Sequence, residues 1–383
     1  MRWLRAISAH GVLSALVMNV CLFTLPFAAV QLHLSITEGD IYSYEATPNA
    51  RNATRAVIEH RMVALLPRGL DRRRGWEELV ARELREGDPY AARGFVLAAP
   101  ALLGPMDIAR IRTNPDAQRG DDGMVRAATA LLSNETRDDF AAVARWMEGQ
   151  DNDPAAFLVL GETRDLAQQA RAWAGGRESD HLVLVLTGIG AAMETRVSRR
   201  AALGASALKD ARRSGRLSPA LARDLERMAA AAAPPERLRA NIQAALAHPD
   251  ALTREYGLIA QAFRNSIEHA AFEHFASRLG AIGDIAAATS SRGAARLLAR
   301  AESEHDLLRL RLIAQSAGDR AVAVAKRMPE DAPPLATAAR GAIVWTRDLV
   351  LNLIGVAAAL LGLIGAAIAV LAQAIVRRWR GSA

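Results

Sequence analysis

Two short stretches of the sequence carry side chains that could bind a metal ion. His269, Glu273 and His274 lie in one helical pattern, and Glu302 precedes His305 by three residues. Residues four apart share a helix face, so His269 and Glu273 could both reach one metal ion. A carboxylate-bridged di-iron site needs two Glu-x-x-His motifs and two further glutamates, and these stretches supply one motif. Solvated or hydrogen-bonded histidines are therefore the favoured interpretation, and we predict no metal and no cofactor.

A second stretch resembles a nucleotide fingerprint. The apolar run Leu182–Leu186 precedes Gly188 and Gly190, the Gly-x-Gly pattern of a turn that approaches a pyrophosphate at a helix N-terminus. Met193 stands where the third small residue belongs, and the other β-branched runs of a parallel sheet are missing. The pattern therefore predicts a buried or membrane-touching helix, which is too short to be a membrane span.

The sequence contains no hydrolase or P-loop signature. Scattered serine, aspartate and histidine residues could still converge in space. We accordingly name no catalytic residue, and a membrane-anchored enzyme that uses the non-sequential His/Glu set stays an alternative.

The N-terminal region is predicted to be a membrane anchor. No charged side chain occurs between Ala6 and Thr37, and the apolar part runs from Gly11 to Val30. This run is longer than the apolar region of a signal peptide, and Phe27–Val30 offers a poor cleavage site. About 20 helical residues cover the hydrocarbon core of a bilayer. An uncleaved anchor is therefore favoured over a signal peptide.

The C-terminal region predicts a second transmembrane helix. Leu349–Val376 contains 28 residues without a formal charge, roughly 42 Å of helix. Trp345 and Trp379 bracket it, and three arginines follow within residues 377–380. The positive-inside rule places such arginines in the cytoplasm. Both termini are thus predicted to be cytoplasmic in a bacterial inner membrane, with the large middle domain in the periplasm.

Small residues recur four apart in this second span, a spacing that lets two helix backbones approach closely. We expect them to pack against the first span or against a second copy of the chain, which would make a homo-oligomer. The glycines of this pattern are Gly355, Gly362 and Gly365, with Ala359, Ala366 and Ala369 four residues after them.

The charge distribution argues against a nucleic-acid partner. The net charge is +7, of which five arginines at the two ends supply +5 and leave +2 for the rest of the chain. Of the 48 basic residues only Lys209 and Lys326 are lysines, a coding bias and not a phosphate-binding signature. The cluster Arg72–Arg74 is typical of a solvated helix face. The single cysteine, Cys21, excludes disulfides within one chain.

Helical periodicity runs through the middle of the chain. Apolar residues recur three and four apart, for example over Leu252–Phe275. Ser218 followed by Pro219 predicts a helix start, and Gly87, Gly149 and Gly215 predict helix ends. The one β element that we predict is a short hairpin over residues 31–45, where Leu32, Leu34 and Ile36 alternate with polar residues.

Four passages resemble helical membrane-associated proteins of proteobacteria. They are Gly161–Leu166, Asp180–Gly190, Leu208–Ser218 and Arg292–Lys326. The resemblance implies a helical, membrane-associated chain and assigns no activity to any residue.

The predicted fold is mainly α, with two transmembrane helices flanking a large all-α extramembrane domain. Its segments are residues 1–31 as anchor, 32–150 and 151–328 as two helical units, 329–342 as linker, 343–376 as C-terminal span and 377–383 as basic tail. The predicted function is a binding or scaffolding module without chemistry, whose partners are the lipid bilayer and another envelope protein. A subunit of a pore or transport assembly is the other alternative; the absence of charges within the spans weighs against an ion path through one chain.

Overall fold

A computed structural model describes residues 2–37, 42–151, 165–177, 180–192, 197–329, 331–345 and 347–381. These residues are mainly helical and form two compact units. We call Met1–Ser43 together with Gly341–Ala383 the terminal unit, and Tyr44–Arg340 the helical domain.

In chain order the elements are α1 (Arg2–Thr37), β1 (Tyr42–Ser43), α2 (Pro48–Val63), α3 (Arg72–Arg85), α4 (Pro89–Leu97), α5 (Ala99–Leu102), α6 (Pro105–Thr113), a 3₁₀ turn (Pro115–Gln118), α7 (Gly120–Thr129), α8 (Asn134–Asp151), α9 (165–174), α10 (His181–Ala192), α11 (Arg199–Arg213), α12 (Pro219–Ala232), α13 (Pro235–Leu246), α14 (Ala251–Ser266), α15 (His269–Thr289), α16 (Ser291–Leu298), α17 (Glu304–Ala317), α18 (Asp319–Arg327), a second 3₁₀ turn (Leu335–Ala338), β2 (Ala342–Ile343) and α19 (Arg347–Gly381).

The terminal unit is built from the two ends of the chain. Helices α1 and α19 pack along each other, and β1 pairs antiparallel with β2, so that Tyr42 lies opposite Ile343. Each helix contains a window that is long and apolar enough to cross a membrane, Leu16–His33 with mean hydropathy 1.6 and Leu349–Ala372 with mean hydropathy 2.6. Only 6% and 11% of these windows are buried. They therefore differ from the core helices of a soluble protein, which bury their apolar residues.

The β-hairpin predicted over residues 31–45 is wrong. Helix α1 continues to Thr37, so Leu32, Leu34 and Ile36 are helical, and β1 pairs with residues from the other end of the chain. Extending an existing helix adds one hydrogen bond for each residue fixed, whereas an isolated two-stranded hairpin is marginal in water. Three alternating apolar residues are too short a pattern to outweigh the greater stability of the extended helix over the hairpin.

Some helices of the helical domain begin at a side-chain cap, and glycines follow the ends of others. Ser218 accepts a hydrogen bond from the backbone N–H of Leu221 at 3.2 Å, and Pro219 occupies the first turn of α12, which confirms the predicted start. Gly87 and Gly215 follow α3 and α11 with φ of 69° and 64°, a region that glycine enters without steric cost. Gly149, by contrast, lies inside α8 and ends no helix.

One hydrophobic core runs through the helical domain. It contains helices from both predicted units, 32–150 and 151–328, since α4 packs on α18 and α2 packs on α17. Trp76 is fully buried in this core, and its indole N–H donates to the carbonyl of Phe95 at 2.8 Å. Close backbone contact at Gly204 and Gly283 joins α11 to α15.

The proline-rich segment predicted as a linker is bound to the helical domain over residues 331–340. Leu335 and Ala338 are fully buried. Arg61 donates to the carbonyl of Pro333 at 3.2 Å, and the backbone N–H of Arg340 donates to Thr54 Oγ1 at 3.0 Å. The domain therefore holds the chain in place up to the residue before Gly341.

Candidate functional site

The His/Glu set does not assemble into a metal site. His269, Glu273 and His274 are exposed on α15, as is Glu302 before α17, while the His305 ring lies edge-on to Tyr44 at 6.0 Å. Among the residues that the structure describes, no three His, Cys, Asp or Glu side chains form a group that could hold a metal ion. The enzyme alternative therefore loses the set of residues on which it depended.

The apparent nucleotide fingerprint lies inside a buried helix. Leu182–Leu186 belongs to α10 and is buried, and Gly188 faces the ring of Phe263 so closely that a Cβ atom would overlap it. Gly188 thus serves helix packing and not approach to a phosphate. The prediction of a buried helix is confirmed.

The three glycines of the second span have different surroundings. A Cβ atom on Gly362 would lie 2.5 Å from Cys21 Sγ, and one on Gly355 would lie 3.8 Å from Ala28 Cβ. A Cβ atom on Gly365 would meet nothing within 4 Å in the described part of the chain. Gly362 and Gly355 therefore face α1 within the terminal unit, whereas Gly365 is exposed among the described residues.

A cluster of acidic and basic side chains joins α3 and the loop before α4 to α18. Glu83 is fully buried and accepts from Lys326 Nζ at 2.5 Å and from Arg327. Lys326 also reaches Glu86 at 2.6 Å and Asp88 at 3.4 Å. Hydrogen bonds from Arg327 and Lys326 lower the pKa of Glu86 to about 2. The buried carboxylate of Glu83 requires paired cations such as Lys326 and Arg327, so the cluster is a structural link.

A second buried cluster surrounds Asp319. Its side chain is 1% exposed, and Oδ2 accepts from Arg93 at 2.6 Å. Arg93 also donates to Asp122 at 2.8 Å, and Arg320 donates to the carbonyl of Leu97 at 2.9 Å. Burial raises the pKa of Asp319 to about 6, although the Arg93 guanidinium opposes that shift. The cost of burying this carboxyl group thus outweighs its pairing with Arg93.

Two adjoining clefts of about 390 Å³ and 610 Å³ share Asp180 and Arg212. Asp180 caps α10 by accepting from the backbone N–H of Leu182 at 3.0 Å, and it accepts from Arg212 Nε at 2.6 Å. Arg212 in turn pairs with Glu226 at 2.6 Å. The carboxylates thus hold the Arg212 guanidinium between the two openings.

Aromatic and imidazole groups lie beside the larger cleft. The His181 ring packs on Trp173 with a centroid separation of 5.3 Å, and the Arg239 guanidinium lies 4.5 Å above the Trp173 ring. His181 Nε2 is 3.0 Å from the carbonyl oxygen of Ala233, so this nitrogen carries a proton and donates it. Burial lowers the pKa of His181, which keeps the ring neutral at pH 7.

The clefts are lined by charged, hydrogen-bonding and apolar groups. Of the described residues that line them, none carries a hydroxyl or thiol group. Gln168, Gln169 and Arg213 provide hydrogen-bonding groups on one side, and Leu182, Ala230 and Pro235 provide apolar surface on the other. The lining thus provides ionic, hydrogen-bonding and apolar contacts for a ligand.

Sequence reasoning missed both ionic clusters and the clefts. Their members come from segments far apart in the chain, as with Glu83 and Lys326. One signal was present: both lysines of this arginine-rich chain are withdrawn from solvent, with Lys209 6% exposed and the Lys326 side chain 18% exposed. The compact ammonium group of Lys326 fits among three carboxylates.

No known protein-family model, curated protein or solved structure significantly matches this chain. The class of protein is therefore defined by its own structure. It is a mainly helical chain in which two apolar helices, each able to cross a membrane by length and composition, precede and follow in sequence a helical domain with its own core.

Proposed function

We propose that the protein is an integral inner-membrane protein whose helical domain acts as a binding or scaffolding module for another envelope component. The observation that carries the proposal is the exposure of the terminal helices. Most of the exposed large apolar side chains of the described residues lie on α1 and α19, among them Phe23 at 81% and Leu361 at 70%. Apolar surface on this scale is unfavourable in water and is the normal surface of a lipid-facing helix.

The proposed topology has both termini in the cytoplasm and the helical domain in the periplasm. It is supported by Arg2 and Arg5 before the first span and by the arginines of residues 377–380 after the second. The clefts around Asp180 and Arg212 offer ionic, hydrogen-bonding and apolar contacts to a partner, which supports the binding role.

Protease accessibility tests the location of the domain. With a tag at each terminus, we expect protease to digest the helical domain in spheroplasts while both tags stay protected, and the reverse in inverted vesicles. Carbonate extraction should leave the chain in the membrane pellet. Release by carbonate, or protection of the domain in spheroplasts, would contradict the anchored topology.

Binding is tested separately by cross-linking and pull-down. We expect Arg212→Ala to lose most of any captured envelope protein, because it removes the side chain that both clefts share. Arg227→Ala is the matched control, since Arg227 is 78% exposed on α12 and pairs only with Asp224 among the described residues. Equal capture by both variants would show that the partner does not bind at the clefts that share Arg212.

A further inference from the structure

The helical domain exposes very little large apolar surface. Among its described residues, the exposed large apolar side chains are Leu70 at 47%, Met106 at 77% and Tyr256 at 37%. Leu70 precedes α3, and Met106 lies in the first turn of α6. The two most exposed of these three side chains thus lie in neighbouring segments of the fold.

Arg73 connects these two segments. Its guanidinium lies 3.7 Å from Asp107 of α6 and donates to the carbonyl of Leu131 at 2.6 Å. Residues 67–74 and 105–113 together carry six arginines and two aspartates, which leaves four positive charges. We call these two segments the basic face.

Three of the six arginines on the basic face make no ion pair with a residue that the structure describes. The other three arginines pair with the two aspartates of the face. Arg74 lies 3.4 Å from Asp71. Arg73 and Arg110 lie 3.7 Å and 3.9 Å from Asp107. The exposed arginines that make no ion pair with any described residue are Arg68, Arg72 and Arg112.

Neighbouring carboxylates are engaged by other groups. Glu77 accepts from Ser133 and interacts electrostatically with Arg73. Glu78 pairs with Arg85. Asp121 and Asp122 begin α7, but Asp122 pairs with Arg93 at 2.8 Å and Asp121 lies 3.7 Å from Arg320. The positive charge of the basic face is therefore available to a ligand from outside the domain.

We propose that the basic face docks on anionic phospholipid of the bilayer in which the chain is anchored. This inference rests on the proposed membrane anchoring. Guanidinium groups bind phosphate in two-point hydrogen bonds, and exposed apolar side chains enter the boundary between headgroups and acyl chains. Leu70 and Met106 supply the apolar contacts, and Arg68, Arg72 and Arg112 supply the charge that complements the lipid.

Because the chain is anchored in a bilayer, lipid is favoured over a soluble anion as the ligand of the basic face. Both ends of the helical domain, Tyr44 and Arg340, continue within a few residues into the segments that lead to α1 and α19. A tether at both ends keeps the domain at high effective concentration next to one lipid surface. A face with charge and protruding apolar groups then binds that surface without needing high intrinsic affinity.

The test uses the full chain in nanodiscs. Cys21→Ser with Met106→Cys allows one environment-sensitive fluorophore at position 106, and a nitroxide-labelled lipid serves as quencher. In discs of phosphatidylglycerol and phosphatidylcholine we expect at least threefold stronger quenching than in discs of phosphatidylcholine alone. The combined variant Arg68→Gln, Arg72→Gln and Arg112→Gln should return quenching to the level of the neutral discs.

Two controls separate docking from general charge effects. A fluorophore at Arg227→Cys should be quenched equally in both kinds of disc. Replacing three exposed arginines elsewhere, Arg199, Arg223 and Arg254, by glutamine should leave quenching at position 106 unchanged. Equal quenching in neutral and anionic discs, or an equal effect of the two triple variants, would overturn the proposal.

A further arm identifies the membrane. With the nitroxide lipid only in added anionic vesicles, quenching at position 106 should stay at background, because the face is occupied by lipid of its own disc. Quenching from the added vesicles would overturn the assignment to the anchoring bilayer. Failure of the anchoring proposal itself gives a different result, since the chain would then not copurify with the discs.

Discussion

Gly94 of α4 lies directly against the main-chain carbonyl group of Asp319, the first residue of α18. A Cβ atom on Gly94 would overlap the carbonyl oxygen and would lie 3.0 Å from Ala323 Cβ. The obstacle is mostly backbone, which cannot rotate away as a flexible side chain can. The close approach of α4 and α18 therefore depends on the absence of a side chain at position 94.

We predict that Gly94→Ala destabilises the helical domain by about 1–3 kcal/mol, the usual cost of overpacking a close contact. Gly280→Ala is the matched control, because Gly280 lies within α15 and a Cβ there meets nothing within 4 Å among the described residues. The control should be neutral or stabilising by up to ~1 kcal/mol through helix propensity. Calorimetric unfolding of the detergent-solubilised chain measures both changes, and equal changes would show that the contact at Gly94 is unimportant.

The buried carboxyl group of Asp319 should make stability depend on pH. Its pKa is raised from 3.8 to about 6, so between these values the folded domain holds a proton that the unfolded chain has released. The contribution of this group is therefore fully present below about pH 4 and falls by roughly 3 kcal/mol as the pH rises to 6. Measuring the free energy of unfolding at each pH from 4 to 7 shows how much stability is lost as the pH rises.

Asp319→Asn isolates that contribution. The difference in unfolding free energy between the wild type and this variant should fall with pH up to about 6 and be flat above it. If the difference between wild type and Asp319→Asn instead rises with pH, the ion pair with Arg93 outweighs burial and the pKa of Asp319 is lowered.

Much of the helical fold follows from local sequence, but some helix ends do not. Leu252–Phe275 has one apolar period and no glycine-proline break at its centre, yet the structure divides it at Ile267 and Glu268. The break is stabilised from outside the segment. The Glu268 N–H donates to the carbonyl of Ala232 at 2.9 Å, and Arg237 donates to the carbonyl of Ser266 at 2.7 Å. Tertiary hydrogen bonds of this kind leave no local pattern.

The candidate site was harder to predict for a related reason. Asp180 and Arg212 are each ordinary surface residues in the sequence, and only the packing of α10 against α11 brings them to 2.6 Å. The small-residue spacing in the second span was visible, but the side of the helix that meets α1 depends on helix rotation. Sequence period alone does not distinguish Gly362 from Gly365.

Removing Glu83 should be strongly destabilising. Glu83→Ala takes a fully buried carboxylate from between Lys326 and Arg327, and we expect a loss of about 3–5 kcal/mol because two cations are left without it. Glu78→Ala on the same helix breaks the exposed pair with Arg85 and should cost less than about 1 kcal/mol. Calorimetry compares the two, and a small effect at Glu83 would mean that Glu86 and Asp88 suffice to neutralise both cations.

The contact between Gly362 and Cys21 should control access to the only thiol in the chain. Cys21 is 9% exposed, and a Cβ at position 362 would lie 2.5 Å from its sulfur. Gly362→Leu should therefore separate α1 from α19 and raise the rate of Cys21 alkylation by a small maleimide in detergent at least tenfold. Gly365→Leu changes the same helix three residues away, where a Cβ atom meets nothing within 4 Å among the described residues, and should leave the rate within a factor of about two of wild type. Equal rates for the two variants would show that Gly362 is not at the interface with α1.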